Sequence, residues 1–196
     1  MGGDAPVGSA MIGAAGVLRP ERTALVVVDL QEKLLPAIAN HERVRRNSVL
    51  LLELANVLAL PVVLTTQYSR GLGSTVPDVL AAAPGVAPLD KVSFGCFGSP
   101  EFLDRLKGLA GRDQLVVAGI ESHICVAQTV LGALERGYTV HVASDAVGSR
   151  SEENRAVGIG RMERAGALVS STEMAIYELL GRSDGSAFKK MLPLLK

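Results

Sequence analysis

Three residues in this sequence have types and positions suited to joint chemistry: Asp29, Lys91 and Cys125. Asp29 closes the β-branched run from Thr23 to Asp29 (TALVVVD). Lys91 lies in Asp90-Lys91-Val92-Ser93-Phe94. Cys125 ends the stretch Gly119-Ile120-Glu121-Ser122-His123-Ile124-Cys125. A carboxylate, an amine and a thiol together suit acyl transfer. An unperturbed thiol is about 97% protonated at neutral pH. A helix N-terminus and a nearby ammonium both favour the thiolate, so a depressed pKa is expected for Cys125. A carboxylate whose own pKa is raised by burial can take the thiol proton. First-turn N–H groups can hold the oxyanion that forms during attack on a carbonyl. Each residue alone also has an ordinary reading. An Asp at a strand end often caps a helix, a free Cys packs as a small hydrophobe, and a Lys is usually solvated. Cys96 keeps that ordinary reading. His123 is the rival base, but residues two apart on a helix do not face each other. His41 and His141 read as structural.

These side chains need a scaffold, and the pattern of the chain supplies one. Val62 to Thr66 (VVLTT), Gln114 to Ala118 (QLVVA), Thr139 to Ala143 and Ala167 to Ser170 read as further strands, with a short edge strand at Lys91. Apolar residues Val44, Leu51, Leu54, Ala55 and Leu58 recur at helical spacing before Pro61. Helices are also expected over 100–109, 123–136, from Ser151 to Gly166, and over 172–180. An amphipathic piece runs to Lys196. Residues 68–90 form a long Gly/Pro/Ala-rich connection of the kind that often carries function. Strands alternating with helices predict a parallel sheet covered on both faces, with ligands at the carboxyl ends of its strands. Asp29, Gln31, Gln67, Tyr68, Lys91, Cys125 and Asp145 all follow or end strands in this reading.

Composition narrows the partners. Hydrophobic residues make up 48% and charged residues 20%, a globular balance. Twenty basic residues offset twenty acidic ones, leaving no net field for nucleic acid or an anionic membrane. Aromatic residues are 4%, without Trp, so a base-stacking surface is not expected. The longest apolar run, Val49 to Leu64, is broken by Glu53, Asn56 and Pro61, which suits a helix and strand rather than a membrane span. Two cysteines cannot build a disulfide framework, and a reducing, cytoplasmic setting is expected. Residues 1–20 read as a flexible arm, with Asp4 and Pro6 arguing against a signal peptide. Residues 21–196 read as one domain.

The segments ALVVVDLQEKLL, LDKVSFGCF and VVAGIESHICVAQTVLGALERGYTVHVASDA, continued by SRSEENRAVGIGRMERAGALVSSTEMAIYELL, resemble the isochorismatase-like cysteine hydrolase family. That family includes nicotinamidases and N-carbamoylsarcosine amidases. TTQYSRGLGSTVPDV is most similar to its subgroup of isochorismatase-domain-containing proteins. The resemblance implies a three-layer α/β/α fold with a six-stranded parallel sheet. It also implies a triad of nucleophile Cys125, general base Asp29 and cation Lys91. The oxyanion hole falls to the backbone N–H groups of Glu121 and Cys125, with a cis peptide between Ile120 and Glu121. Isochorismatases proper lack the cysteine, so Cys125 points towards an amide, ureide or ester carbonyl. Nicotinamidases carry an Asp-x-His metal cluster after the second strand; this chain has Gln67-Tyr68-Ser69-Arg70 there. No metal or other cofactor is therefore expected, and nicotinamide is disfavoured. Gln31, Gln67 and Tyr68 are the expected substrate contacts. The sequence reading is a hydrolase of a small molecule, working as a homo-oligomer. A non-catalytic, partner-binding oligomer of the same family and a thiol redox sensor at Cys125 are the alternatives.

Overall fold

The computed structural model describes residues 16–109 and 111–196. Its strands are β1 (Thr23–Val28), β2 (Val62–Gln67), β3 (Leu89–Lys91), β4 (Gln114–Ile120), β5 (Thr139–Gly148) and β6 (Leu168–Ser170). They form one six-stranded sheet in the order β3-β2-β1-β4-β5-β6, every pair parallel. Its main helices are α1 (His41–Leu58), α2 (Ser69–Leu72), α3 (Pro77–Ala81), α4 (Pro100–Lys107), α5 (Ala127–Leu134), α6 (Glu152–Arg164), α7 (Thr172–Leu180) and α8 (Ser186–Met191). The fold is the three-layer α/β/α sandwich that the sequence predicts.

The β1 run is continuously apolar because both faces of the sheet are covered. Leu25 and Val27 face the layer of α1, α7 and α8, packing with Leu52, Ile176 and Met191. Ala24, Val26 and Val28 face the layer of α4, α5 and α6, packing with Phe102, Val130 and Met162. The chain winds outwards from β1 to β2 and β3, then returns to β4 on the other side of β1. The carboxyl ends of β1 and β4 therefore flank the point where strand order reverses, where such sheets leave a crevice.

Three segments differ from the sequence reading. β5 continues to Gly148, so Asp145 lies within the strand; its carboxylate accepts from the Thr172 N–H at 2.7 Å and the Thr172 hydroxyl at 2.8 Å. Asp145 thus ties β5 to the start of α7. The connection over 68–90 contains α2 and α3. The helix after β4 starts late: Ser122–Val126 is a wide π-turn, in which the Val126 N–H reaches Glu121 O at 3.2 Å, and α5 begins at Ala127. Of the expected N-terminal arm, residues 1–15 lie outside the described residues. Its end is tied down, with Leu18 buried, Arg19 N–H donating to Gln114 Oε1 at 2.8 Å and Gln114 Nε2 donating to Val17 O at 2.9 Å.

Gly119 permits the close passage of β4 beside β1. It takes φ +112°, and a Cβ there would sit 2.0 Å from Val28 O. The obstacle is backbone and cannot swing aside. Gly119→Ala should therefore cost about 3 kcal/mol or more in chemical denaturation, from unfavourable φ together with overpacking. An unchanged denaturation midpoint would refute this account of the glycine.

Candidate active site

Asp29 leaves β1 in the left-handed region, at φ 53°. Aspartate tolerates that conformation better than most residues, because its short side chain can bond locally. Its carboxylate is fully buried. Oδ1 accepts from the Thr65 hydroxyl at 2.7 Å and Oδ2 from Lys91 Nζ at 2.7 Å. Both side chains of this ion pair are only 1% exposed. The Lys91 ammonium also donates to Gln67 Oε1 at 2.9 Å and Phe94 O at 3.1 Å. All three ammonium hydrogens thus have acceptors, which lowers the cost of burying the charge.

Cys125 faces this pair from the π-turn and is 7% exposed. The Ile124 N–H donates to Glu121 O at 3.0 Å, alongside the Val126 bond, so the turn wraps around the thiol-bearing residue. The Ile120–Glu121 peptide entering the turn is cis, as the resemblance implies. Burial, reinforced by the Asp29 charge and its hydrogen bond, pushes the Cys125 thiol from 9.0 up to about 12; Lys91 pulls the other way but loses. The expected depression of the thiol pKa is therefore corrected. The sequence reading counted the helix and the ammonium but not the desolvation, and α5 begins two residues beyond Cys125. Burial likewise pushes Cys96 up to about 11.

The turn is held from outside. Gly158 of α6 lies against it so closely that a Cβ would meet His123 N at 2.8 Å. Ser122 Oγ donates to Gly148 O at 3.0 Å. The Glu121 carboxylate accepts from Arg150 N at 3.0 Å and Nε at 3.1 Å, binding the turn to the loop after β5. His123 Nδ1 pairs with Ser149 Oγ at 3.0 Å. The side chains acting on the thiol are Asp29, Lys91 and Cys96. Thr129 accepts from the Cys96 N–H at 3.0 Å and donates to Cys125 O at 2.7 Å, joining the two cysteine loops.

Two of the expected substrate contacts are occupied by the protein itself. The Gln31 amide is fully buried: Oε1 accepts the Gln67 N–H at 2.7 Å, and Nε2 donates to Gln67 O at 3.1 Å and Gly73 O at 2.8 Å. Gln67 spends its amide on Lys91 and, through Nε2, on Val92 O at 2.9 Å. Tyr68 is 53% exposed, beside Val92 at 80% and Phe94 at 56%, so an apolar rim borders the cluster. Sequence reasoning missed Thr65 and Thr129; a polar residue inside the apolar β2 run was the available signal for the first. A cavity of about 440 Å³, lined by Arg43, Arg46, Asp145 and Glu173, lies over α1 and α7, away from the thiol. A cleft of about 290 Å³ runs beside Lys91, between Asp90, Ser93 and Glu101. Among the described residues, no three His, Cys, Asp or Glu side chains converge as a metal set, and no helix is long and apolar enough to cross a membrane.

The three-layer α/β/α sandwich, together with the family match, is a hydrolase-type fold. The chain belongs to the isochorismatase family: residues 23–174 match the Isochorismatase domain. It is 35% identical to isochorismatase domain-containing protein 2A of Mus musculus over 181 residues, covering 92% of this chain and 86% of that protein. The structure of the MAR1 ribonuclease from Caenorhabditis elegans superposes with a TM-score of 0.86 at 38% identity, covering 91% and 92% of the two chains. The Escherichia coli YcaC gene product, described as an octameric hydrolase of unknown specificity, superposes with a TM-score of 0.83 at 28% identity, covering 90% and 91%.

The electrostatics make a signed prediction. Removing the Asp29 charge leaves the ammonium and removes the carboxylate that disfavours the thiolate. Asp29→Asn should lower the pH midpoint of Cys125 modification by a small thiol reagent, followed by mass spectrometry of the Cys125 peptide. An upward shift would contradict the charge balance derived above.

Proposed function

We propose that this protein is a cysteine-dependent hydrolase of a small amide, ureide or ester. The observation that carries the reading is the Cys125 thiol facing the Asp29 carboxylate, itself ion-paired to Lys91 out of contact with water. At a thiol pKa of about 12 the resting group is S–H. The thiol and the carboxylate then share one mobile proton beside one fixed cation. As the sulfur bonds to the carbonyl carbon, its proton passes to Asp29. Lys91 stabilises negative charge on either acid, so the transfer needs no large reorganisation. The carbonyl oxygen takes the displaced electron pair and is held by the N–H groups of Glu121 and Cys125, at the two sides of the π-turn. Asp29 returns its proton to the leaving amine or alkoxide as the tetrahedral intermediate collapses to a thioester. It then accepts a proton from water attacking that thioester, and the thiol leaves protonated.

The narrow exposure of the thiol and the balanced charge of the chain support a small-molecule substrate over a nucleic acid. The same burial speaks against a redox sensor, since oxidisable sensor thiols are exposed and of low pKa. A homo-oligomer would cover part of the apolar rim of Tyr68, Val92 and Phe94, and the octameric Escherichia coli relative supports that expectation. A cytoplasmic setting suits a mechanism that needs a reduced thiol.

A panel of small amides, ureides and esters, with an RNA arm beside it, tests the proposal. At least one carbonyl substrate should turn over, with a thioester on Cys125 trapped by acid quench. Cys125→Ala should lower kcat at least about 10³-fold, as expected for loss of a nucleophile. Chelators should leave the rate unchanged. Cleavage of RNA that survives Cys125→Ala, or turnover without any Cys125 adduct, would sink it.

A further inference from the structure

We infer that Gln67 is a positioning residue that holds the Lys91 ammonium on Asp29, and not a contact to substrate; this rests on Asp29, Lys91 and Cys125 working as one site. Four observations converge on it. Gln67 is 8% exposed at the end of β2, one strand from Asp29 and one from Lys91. Its Nε2 donates to Val92 O, which orients the amide and leaves Oε1 facing the ammonium at 2.9 Å. A flipped amide would set an NH₂ against an ammonium and a carbonyl against a carbonyl. The Gln67 backbone is itself gripped on both sides, N–H and C=O, by the buried Gln31 amide. The two glutamines thus form a brace running from β1 through β2 to Lys91 on β3, with no amide hydrogen of Gln31 left for a ligand.

The brace has a chemical consequence. The titratable groups around Lys91 are Asp29 after β1, Asp90 beside it on β3, and the thiols Cys96 and Cys125 from the segments after β3 and β4. Lys91 is the cation among them and favours the Cys125 thiolate. Without the Gln67 oxygen the ammonium loses one of three acceptors in a site closed to water. Its charge is then held less firmly where the thiolate forms.

The test needs no substrate. Methyl methanethiosulfonate carries no carbonyl; the Cys125 thiolate bonds to its methylthio sulfur and methanesulfinate leaves. Peptide mass spectrometry follows the Cys125 adduct against pH, and thermal melting checks that each variant is folded. Gln67→Met should slow the reaction on the order of tenfold at pH 8, as for loss of a hydrogen bond to a charged group, and move its pH midpoint upwards. In a Lys91→Gln background the same change should add nothing, because Gln67 acts through the ammonium. A folded Gln67→Met protein with wild-type rate and midpoint would overturn the inference. So would effects that multiply in the double variant. Should Gln67→Met not fold, Gln67→Asn, too short to span Val92 O and Lys91, makes the same measurement. A chain that hydrolyses nothing would still answer, so failure of the brace and failure of the hydrolase proposal remain separable.

Discussion

The Lys91–Asp29 ion pair is the interaction around which the rest of the site is arranged. Two opposite charges with 1% exposed side chains have lost their water. In such surroundings the attraction between them offsets desolvation only when the remaining donors and acceptors are also filled. The structure fills them by drawing on three neighbouring strands. β1 supplies Asp29, β2 supplies Thr65 and Gln67, and β3 supplies Lys91, with the Phe94 carbonyl just beyond it. The pairing Gln67↔Lys91 and the Asp29 N–H to Thr65 O bond of 3.1 Å place these side chains at one level of the sheet. A shift of one residue in either register would turn a charged group into the core.

That arrangement also explains why the thiol is protonated. Burial penalises every additional charge, and the Asp29 carboxylate outweighs the pull of the Lys91 ammonium on a second anion. The pair and the thiol therefore hold one proton between two acids. On the proposed mechanism this is an advantage of selectivity. A permanently ionised thiolate would be open to oxidation and to stray electrophiles. On that mechanism sulfur becomes strongly nucleophilic only when a carbonyl approaches and Asp29 takes the proton.

Much of the architecture was legible because it depends on pattern. Buried parallel strands are runs of β-branched residues, and Thr23–Val28, Val62–Gln67 and Gln114–Ile120 announce themselves. Asp29, Lys91 and Cys125 stand out as polar or reactive residues at the ends of such runs, and they converge. The pKa of Cys125 was not legible, because it is a contest between desolvation and two opposing charges whose outcome depends on distances. Nor was the fate of Gln31 and Gln67. A glutamine near a site reads as a ligand contact until its amide is found committed within the protein, as Gln31 is to backbone and Gln67 to Val92 O and Lys91 Nζ. Asp145 failed for a related reason: β5 runs past Ala143, and the carboxylate serves α7. The π-turn was hidden because its residues are compatible with a plain α-helix.

With Gln31 and Gln67 committed within the protein, the proposed hydrolase is left with the side chains of the rim to meet a substrate. Tyr68 is the most constrained of these. It leaves β2 with φ 41°, an unfavourable conformation for a bulky residue, and its N–H is bonded to Lys91 O at 2.9 Å. Its ring lies over Gly71, where even a Cβ would come within 2.5 Å of Cε1. Tyr68 is thus fixed through its backbone to the residue that carries the cation, while its ring stays exposed. Val92 and Phe94 are linked to the cluster in the same manner, since their carbonyls accept from Gln67 and Lys91. Side chains tied so closely to the cluster can vary in size and polarity without disturbing the buried charges, because only their backbones are engaged. On the proposed mechanism the fold thereby separates the groups assigned to chemistry, which are buried and mutually dependent, from those left to choose a substrate, which stand outside and are free to differ.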